Sequence, residues 1–454
     1  MIEQISDLNM QFLIELLKDS ANLNKEFDIL NRFLNERKCT FRGEPMPTYM
    51  KPNFISPKQT TTLQQMVNVI SHVLNRFITH YLQDKQVRKI FGFSSLENEL
   101  FAIEPGYSIP LVISRLDAFM EDYSVKFLEF NCDSPAGTAY SDVMEEGFRQ
   151  FLDRYPVLDE WKFHYYMRQE QLLIALLNCY KEFSQGKNAK RNPTIAIVDW
   201  DDVSTHSEFE LLKEYFEARE FPTLIASPQK LKIKNDKLTF NDEPIDIIYR
   251  RVITRELLKK KDDAADFIEA VKRGMVCMAN PFRSNIVGNK KVLAILTNPK
   301  YQGIFNREQL KVIRECLPWT QVLSRDKALF NDFTVDLRNF IYDNKNKLVL
   351  KPACSYGGKD VHLGFETDDE TWHRIVEENI DSEDWIVQQF VNIPEEIFPE
   401  LKGGGVSMKL KKVNINPFAI SGKYAGTISR ISDNAVINVS AGGGLIPTFT
   451  VSRK

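Results

Sequence analysis

Two short runs in the first third of the chain constrain its fold more than anything else in it. Ser114-Arg115-Leu116-Asp117-Ala118-Phe119 alternates polar and apolar residues, and Val125-Lys126-Phe127-Leu128-Glu129-Phe130 leads directly into Asn131. Such alternation has the period of a β-strand, where residues two apart share a face. Glu129 and Asn131 then project together, as do Arg115 and Asp117. A hairpin joining the two runs brings the oxygens of Asp117, Glu129 and Asn131 within reach of one point. Two carboxylates and an amide carbonyl suit Mg²⁺, which takes a few protein oxygens and fills its shell with phosphate oxygens and waters. Arg115 brings positive charge to the same face, where anionic oxygens would develop. Taken alone, the pattern is equally compatible with solvated strand residues.

Bulk properties narrow the class. At 454 residues the chain exceeds one compact core, so two or three units sharing a cleft are expected. A net charge of −3 gives no general attraction to nucleic acid or to an anionic membrane, so any basic site must be local. No stretch reaches the roughly 18 apolar residues of a membrane span. Met1-Ile2-Glu3-Gln4 lacks the basic and apolar regions of a signal peptide. The six cysteines are scattered without a C-x-x-C pair, and the six histidines show no ligand spacing. The expectation is a reduced, cytoplasmic protein in which any metal is hard and oxygen-bound.

Along the chain, apolar residues recur at helical spacing up to about residue 90: Phe27, Leu30, Phe33 and Leu34, then Val67, Ile70, Val73, Leu74 and Phe77. The Pro- and Gly-rich segment 41–47 between them reads as a loop. Strand-like runs follow at Ile109–Ile113 and 125–130, then a helical stretch over 142–183 broken at Pro156. A hydrophilic boundary at 185–190 precedes an alternation of strand (194–198), helix (208–219) and strand (222–225). A hairpin arm turning at Asn235-Asp236 and a strand at 246–249 ending in Arg250-Arg251 complete a small α/β unit, whose ligands belong at the carboxyl ends of its strands.

Two further segments carry chemistry. Leu348-Val349-Leu350-Lys351 is an apolar strand delivering a lysine. The loop after it, with Ser355, Gly357 and Gly358, lets backbone N–H groups approach phosphates. The alternative is an ordinary hairpin turn beside a solvated lysine. Gly426-Thr427-Ile428-Ser429-Arg430-Ile431 opens a strand-like run from 428 to 439, with Asn438 ending it before Gly442-Gly443-Gly444.

As a set, these segments resemble the ATP-grasp superfamily in a circularly permuted order, the aspartate and Glu-x-Asn pair first and the lysine strand last. The family containing glutathionylspermidine synthetase-like proteins is similar through Arg115-x-Asp117 and Glu129-x-Asn131-x-Asp133. The resemblance implies an α/β (α+β) fold: a helical N-terminal region over 1–92, a metal-binding half over 93–186, a small α/β pre-grasp substrate unit over 187–285, and an ATP-binding half over 286–454. It implies that Asp117, Glu129 and Asn131 hold Mg²⁺. ATP would contact Lys290 (with Lys291 as the alternative), Lys351, Ser355, Gly357, Gly358, the adenine hinge at Gln388-Gln389, and Asn438. Arg115 and Arg430 would be catalytic, and Arg250, Arg251 and Asp133 would bind substrate. The implied activity joins a carboxylate to an amine through an acyl phosphate. Its substrates would be small molecules, amino-acid or peptide-like, with neither nucleic acid nor membrane as partner. A nucleotide-binding protein without ligase activity and a small-molecule kinase are the rival readings.

Overall fold

The apolar stripes at the start of the chain form the helices their spacing implies. The computed structural model describes residues 2–185, 189–355, 357–402, 405–439 and 442–454. Helices span Ile2–Lys18, Ser20–Glu36 and Pro57–Gln83. The third starts where Ser56 and Gln59 close a capping box and Pro57 takes the first helical position, at which its missing N–H is not needed. Its Leu63, Val67, Ile70, Leu74 and Phe77 are buried. The expected loop at 41–47 contains a small hairpin: Thr40–Phe41 pairs with Glu44–Pro45 across Arg42 and Gly43, both at positive φ. Two such residues make the turn whose twist matches paired strands.

The largest sheet has eight strands. Six of them run in the order Asn53–Ile55, Gly444–Arg453, Lys423–Ser432, Gly405–Ile420, Ile113–Glu121, Ser124–Asn131, while Glu395–Lys402 pairs off strand 405–420 and Trp161–His164 off strand 444–453. Residues from both ends of the chain thus sit side by side. A second, four-stranded sheet is parallel, in the order Cys277–Ala279, Ile247–Arg250, Ile195–Val198, Thr223–Ala226. Its two central strands are wholly buried, which is why they read as unbroken apolar runs. A third sheet, also four-stranded, pairs Thr320–Val322, Trp385–Gln389, Leu348–Pro352 and His362–Leu363 antiparallel over a separate core containing Leu350, Trp372 and Val387. The architecture is mixed α/β, as expected.

Three local expectations need correction. The strand expected at Ile109–Ile113 begins only at Ile113. Before it, the Leu111 N–H donates to the Asn75 side chain and the Val112 N–H to that of Asn280, so side chains take bonds that a ladder would otherwise supply. The stretch 142–183 is two helices, Thr138–Leu152 and Arg168–Phe183, separated by a short strand, Trp161–His164, that pairs with the end of strand 444–453. The run from 428 to 439 ends as a strand at Ser432, where Asp433 turns out to meet Lys411 at 2.8 Å. Asn438 therefore lies in a loop and ends no strand.

Residues 186–188 of the expected boundary, and Tyr356 in the glycine-rich loop, lie outside the described residues. The six cysteines are free, and all but Cys354 are buried. Among the described residues no helix is long and apolar enough to cross a membrane.

Candidate functional site

Four neighbouring strands of the large sheet place the charged residues in a row. Arg115 stands opposite Asn131 and Asp117 opposite Glu129 in the 113–121/124–131 hairpin. On the other side of strand 113–121, strand 405–420 contributes Asn414, and beyond it strand 423–432 contributes Arg430 opposite Asn414. Neighbouring strands lie about 4.8 Å apart, so the long Arg430 side chain can cross strand 405–420 to reach Asp117. It does so at 3.0 Å. Arg115 grips the same carboxylate through Nε at 2.9 Å, and its Nη1 donates to the Ala136 carbonyl.

Asp117 is thus held by two guanidinium groups. Burial pushes its carboxyl upward, but the Arg115 and Arg430 charges outweigh this and hold it below the usual carboxylate range. Arg430 is displaced downward by burial first and by Arg115 second, with Asp117 and Glu129 opposing. Glu129 is more accessible, its side chain 30% exposed, and pairs with Lys290 at 3.3 Å. Asn131 has a buried amide nitrogen without a hydrogen-bond partner. Glu129 and Asn131 fit a hard cation as they stand. Both Asp117 oxygens already accept from arginines, and the third ligand would use their remaining lone pairs. Among the described residues no group of three His, Cys, Asp or Glu side chains converges as a metal site.

The lysines reach the same place from two other elements, Lys351 from the third sheet and Lys290 from between the short helices Asn285–Gly288 and Lys291–Leu296. Lys351, on strand 348–352, is buried and donates to the Gln388 side chain at 2.7 Å. Burial lowers its pKa to about 8, with Glu129 opposing and Lys290 reinforcing the drop. Of the adjacent pair, Lys290 turns toward Glu129 and donates to the Ser355 carbonyl at 2.6 Å. Lys291 turns away and binds the Ile90 and Phe91 carbonyls. Gly357 and Gly358, both at positive φ, line the cavity, and a Cβ on Gly358 would meet Val436 at 2.5 Å. Gln388 and Gln389 line it too. The Gln388 side chain is taken up by Lys351 and Thr320, whereas Gln389 is exposed.

A phosphate brought to Lys351 would favour its charged form. Anion affinity is then full below pH about 8 and falls as pH rises through that value. Titration calorimetry with ATP at about pH 7 and about pH 9 should show weaker binding, with more proton uptake, at the higher pH. Equal affinity at both would remove Lys351 from the site.

Arg115, Asp117, Glu129, Asn131, Lys351 and Arg430 line one cavity of about 910 Å³, large enough for a nucleotide and a second small molecule, whereas Lys290 and Ser355 stand behind its wall. Its far end lies at the carboxyl ends of the parallel strands, and here the two arginines separate. Arg251 lines the cavity, with Nη2 3.4 Å from Glu208 and a buried Nε that has no partner. Arg250 is fully buried. It donates to Asp133 at 2.7 Å, to the Val252 carbonyl at 2.8 Å and to the Asn280 carbonyl at 3.0 Å. The Asp133 carboxylate also accepts from the Thr254 N–H and hydroxyl, each at 2.7 Å. Arg250, which does not line the cavity, holds the protein together instead of facing a substrate; Asp133 lines the cavity, but its carboxylate is taken up by Arg250 and Thr254.

Sequence reading missed other wall residues, among them Asn414, Glu256 and the segment 199–205 after strand 195–198. The Asp199 carboxyl there is pushed up to about 6 by burial, against the pull of Arg251. The rule that ligands gather at strand ends pointed to this segment, since it follows an apolar run. Asn414 left a fainter signal, a polar residue alternating with Val413 and Ile415.

No family model matches the chain, and no curated protein matches it. Among solved structures it is similar to a glutathione synthetase-like effector (GSS30) from Globodera pallida in apo form. The TM-score is 0.63 at 11% identity, over 94% of this chain and 96% of that one. Weaker likenesses are to a protein from Methylobacillus flagellatus KT assigned as a gamma-glutamylcysteine synthetase (TM-score 0.42, 9% identity, 87% and 89% covered) and to the D-cycloserine synthetase DcsG (0.31, 15%, 57% and 75%). The fold is that of the glutathione synthetase-like effector.

Proposed function

We propose that this chain has an ATP-grasp fold and is an ATP- and Mg²⁺-dependent ligase that joins a carboxylate to an amine, with the two halves of its nucleotide site in permuted order. The observation that carries the reading is the convergence of Lys351, Glu129, Asn131, Asp117, Arg115 and Arg430 on one cavity from two sheets. A row of cations beside two carboxylates and an amide is what a polyphosphate with a hard cation requires.

In this reading Lys351 and Lys290 bind the phosphates, the glycine loop closes over them, and Gln388 and Gln389 edge the adenine, with Asn438 on the facing loop. Mg²⁺, held by Glu129, Asn131 and Asp117, would neutralise phosphate charge. An acid bound near Arg251 attacks the γ-phosphorus, forming an acyl phosphate and releasing ADP. An amine then adds to the acyl carbon, and phosphate leaves. Arg115 and Arg430 stabilise charge on the transferring group, so most of the rate comes from positioning and electrostatics. The Arg251 charge at the cavity wall favours an acid with a second carboxylate, such as an amino acid or short peptide.

Hydroxylamine intercepts an acyl phosphate as a hydroxamate. The expected result is hydroxamate, and ADP release, only when a suitable acid is present, and an amide by mass spectrometry when an amine is added. A stable phosphorylated product without amide would make the protein a kinase. Nucleotide bound but never turned over, across a broad panel of acids, would make it a binding protein.

A further inference from the structure

Beside the large cavity lies a second, of about 360 Å³. Gln389, Phe390 and Val391 line both, so this short segment is the partition between them. The other walls come from separately packed bodies. Leu296, Ile313 and Leu317 belong to the core under the long helix and the 113–131 hairpin, whereas Trp319 packs on the core of the third sheet. The second cavity is therefore a seam. Movement of one body against the other about the large cavity changes the width of this seam, and a wedge placed in it resists that movement.

The wall chemistry specifies the wedge. The lining is half apolar, with the Trp319 ring among it, and its charged groups are two cations, Lys126 and Arg314, with no carboxylate side chain. Lys126 stands on the same strand as Glu129 and donates to the Glu315 carbonyl at 2.6 Å. Arg314 is exposed at the rim and donates to Gln302 at 3.0 Å. The volume falls at the small end of the range for small-molecule sites, about 300–1,000 Å³.

We propose that the seam binds a small aromatic carboxylate and that its occupancy sets the affinity of the nucleotide site across the partition. The coupling half of this inference rests on the nucleotide reading above; the binding half does not. Coupling between two sites is reciprocal, so nucleotide and wedge must change each other's affinity by one factor.

The test titrates indole-3-acetate into the full chain by calorimetry, with neutral indole-3-acetamide as control, in the presence and absence of ADP. Saturable binding is expected for the acid, with the amide about tenfold weaker or more. Arg314→Glu should weaken the acid alone, and Gln302→Trp, which fills the rim, should weaken both. Saturating indole-3-acetate should shift ADP affinity about fivefold or more, and ADP should shift indole-3-acetate affinity equally. Equal binding of acid and amide, wild-type affinity in both variants, or an unchanged ADP affinity would overturn the proposal. If ADP does not bind at all, the proposed function fails. Acid-selective binding lost in Arg314→Glu would then still support the seam as a site.

Discussion

Replacing Glu129 with glutamine, or Asn131 with alanine, is expected to lower ATP turnover about a thousandfold while the protein stays folded. Glu129 is partly exposed on the cavity wall and its ion pair is with Lys290. Lys290 is buried, its side chain 6% exposed, so losing the pair costs some stability, but its ammonium keeps the Ser355 carbonyl as a partner. Losing Glu129 costs the site more. One hard-cation ligand disappears, and Lys351 loses the carboxylate that holds its pKa up against burial and Lys290. Lys351 in Glu129→Gln should therefore lose its proton at a lower pH than in the parent, and nucleotide affinity should begin to fall at correspondingly lower pH. ADP release at saturating Mg²⁺, measured beside thermal unfolding, reads both halves of this prediction. Near-normal turnover in both variants would sink the metal assignment, whatever their stability.

Arg250→Met should destabilise the protein by roughly 3–5 kcal/mol, the cost of leaving one partner of a buried ion pair alone. Arg250 and Asp133 are side chains with 0% and 1% exposure, 2.7 Å apart. Removing the guanidinium strands the Asp133 carboxylate and also orphans the Asn280 and Val252 carbonyls it served. Asn280 matters to the site, because its side chain bonds Val112, Ile113 and Cys132 at the ends of the hairpin strands. The Arg250 cluster therefore ties the parallel sheet to the hairpin that carries Arg115 and Asn131. Denaturant unfolding of Arg250→Met and Arg251→Met separates two roles. Arg250→Met should unfold at much lower denaturant. Arg251→Met should lose acid-dependent turnover and stability together, since its pair with Glu208 is also buried, though longer at 3.4 Å, and its Nη1 serves the Pro135 carbonyl and the Tyr249 hydroxyl. A stable Arg250→Met with weakened substrate binding would return Arg250 to the cavity wall.

The local chemistry of the site was legible because β-strand periodicity is local. Alternation alone put Arg115 with Asp117 and Glu129 with Asn131, and the register of the hairpin, Asp117 opposite Glu129, agrees. The lysine strand was readable as an apolar run before a glycine-rich loop, a pattern that an ordinary hairpin turn shares. The Arg250-Arg251 pair shows where that reading fails. Successive residues at a strand end point opposite ways, and no local pattern says which side is core and which is cavity.

Sequence by itself determined which residues alternate, where the helices cap and which strands are buried on both faces, since backbone sterics and apolar periodicity act over a few residues. The tertiary structure alone decided that Arg430 meets Asp117 across 313 positions, that Lys290 rather than Lys291 turns to Glu129, and that Asn438 lies in a loop. Those outcomes depend on strand order and on which body packs against which, and such pairings are set by the burial of whole faces rather than by any neighbouring residue.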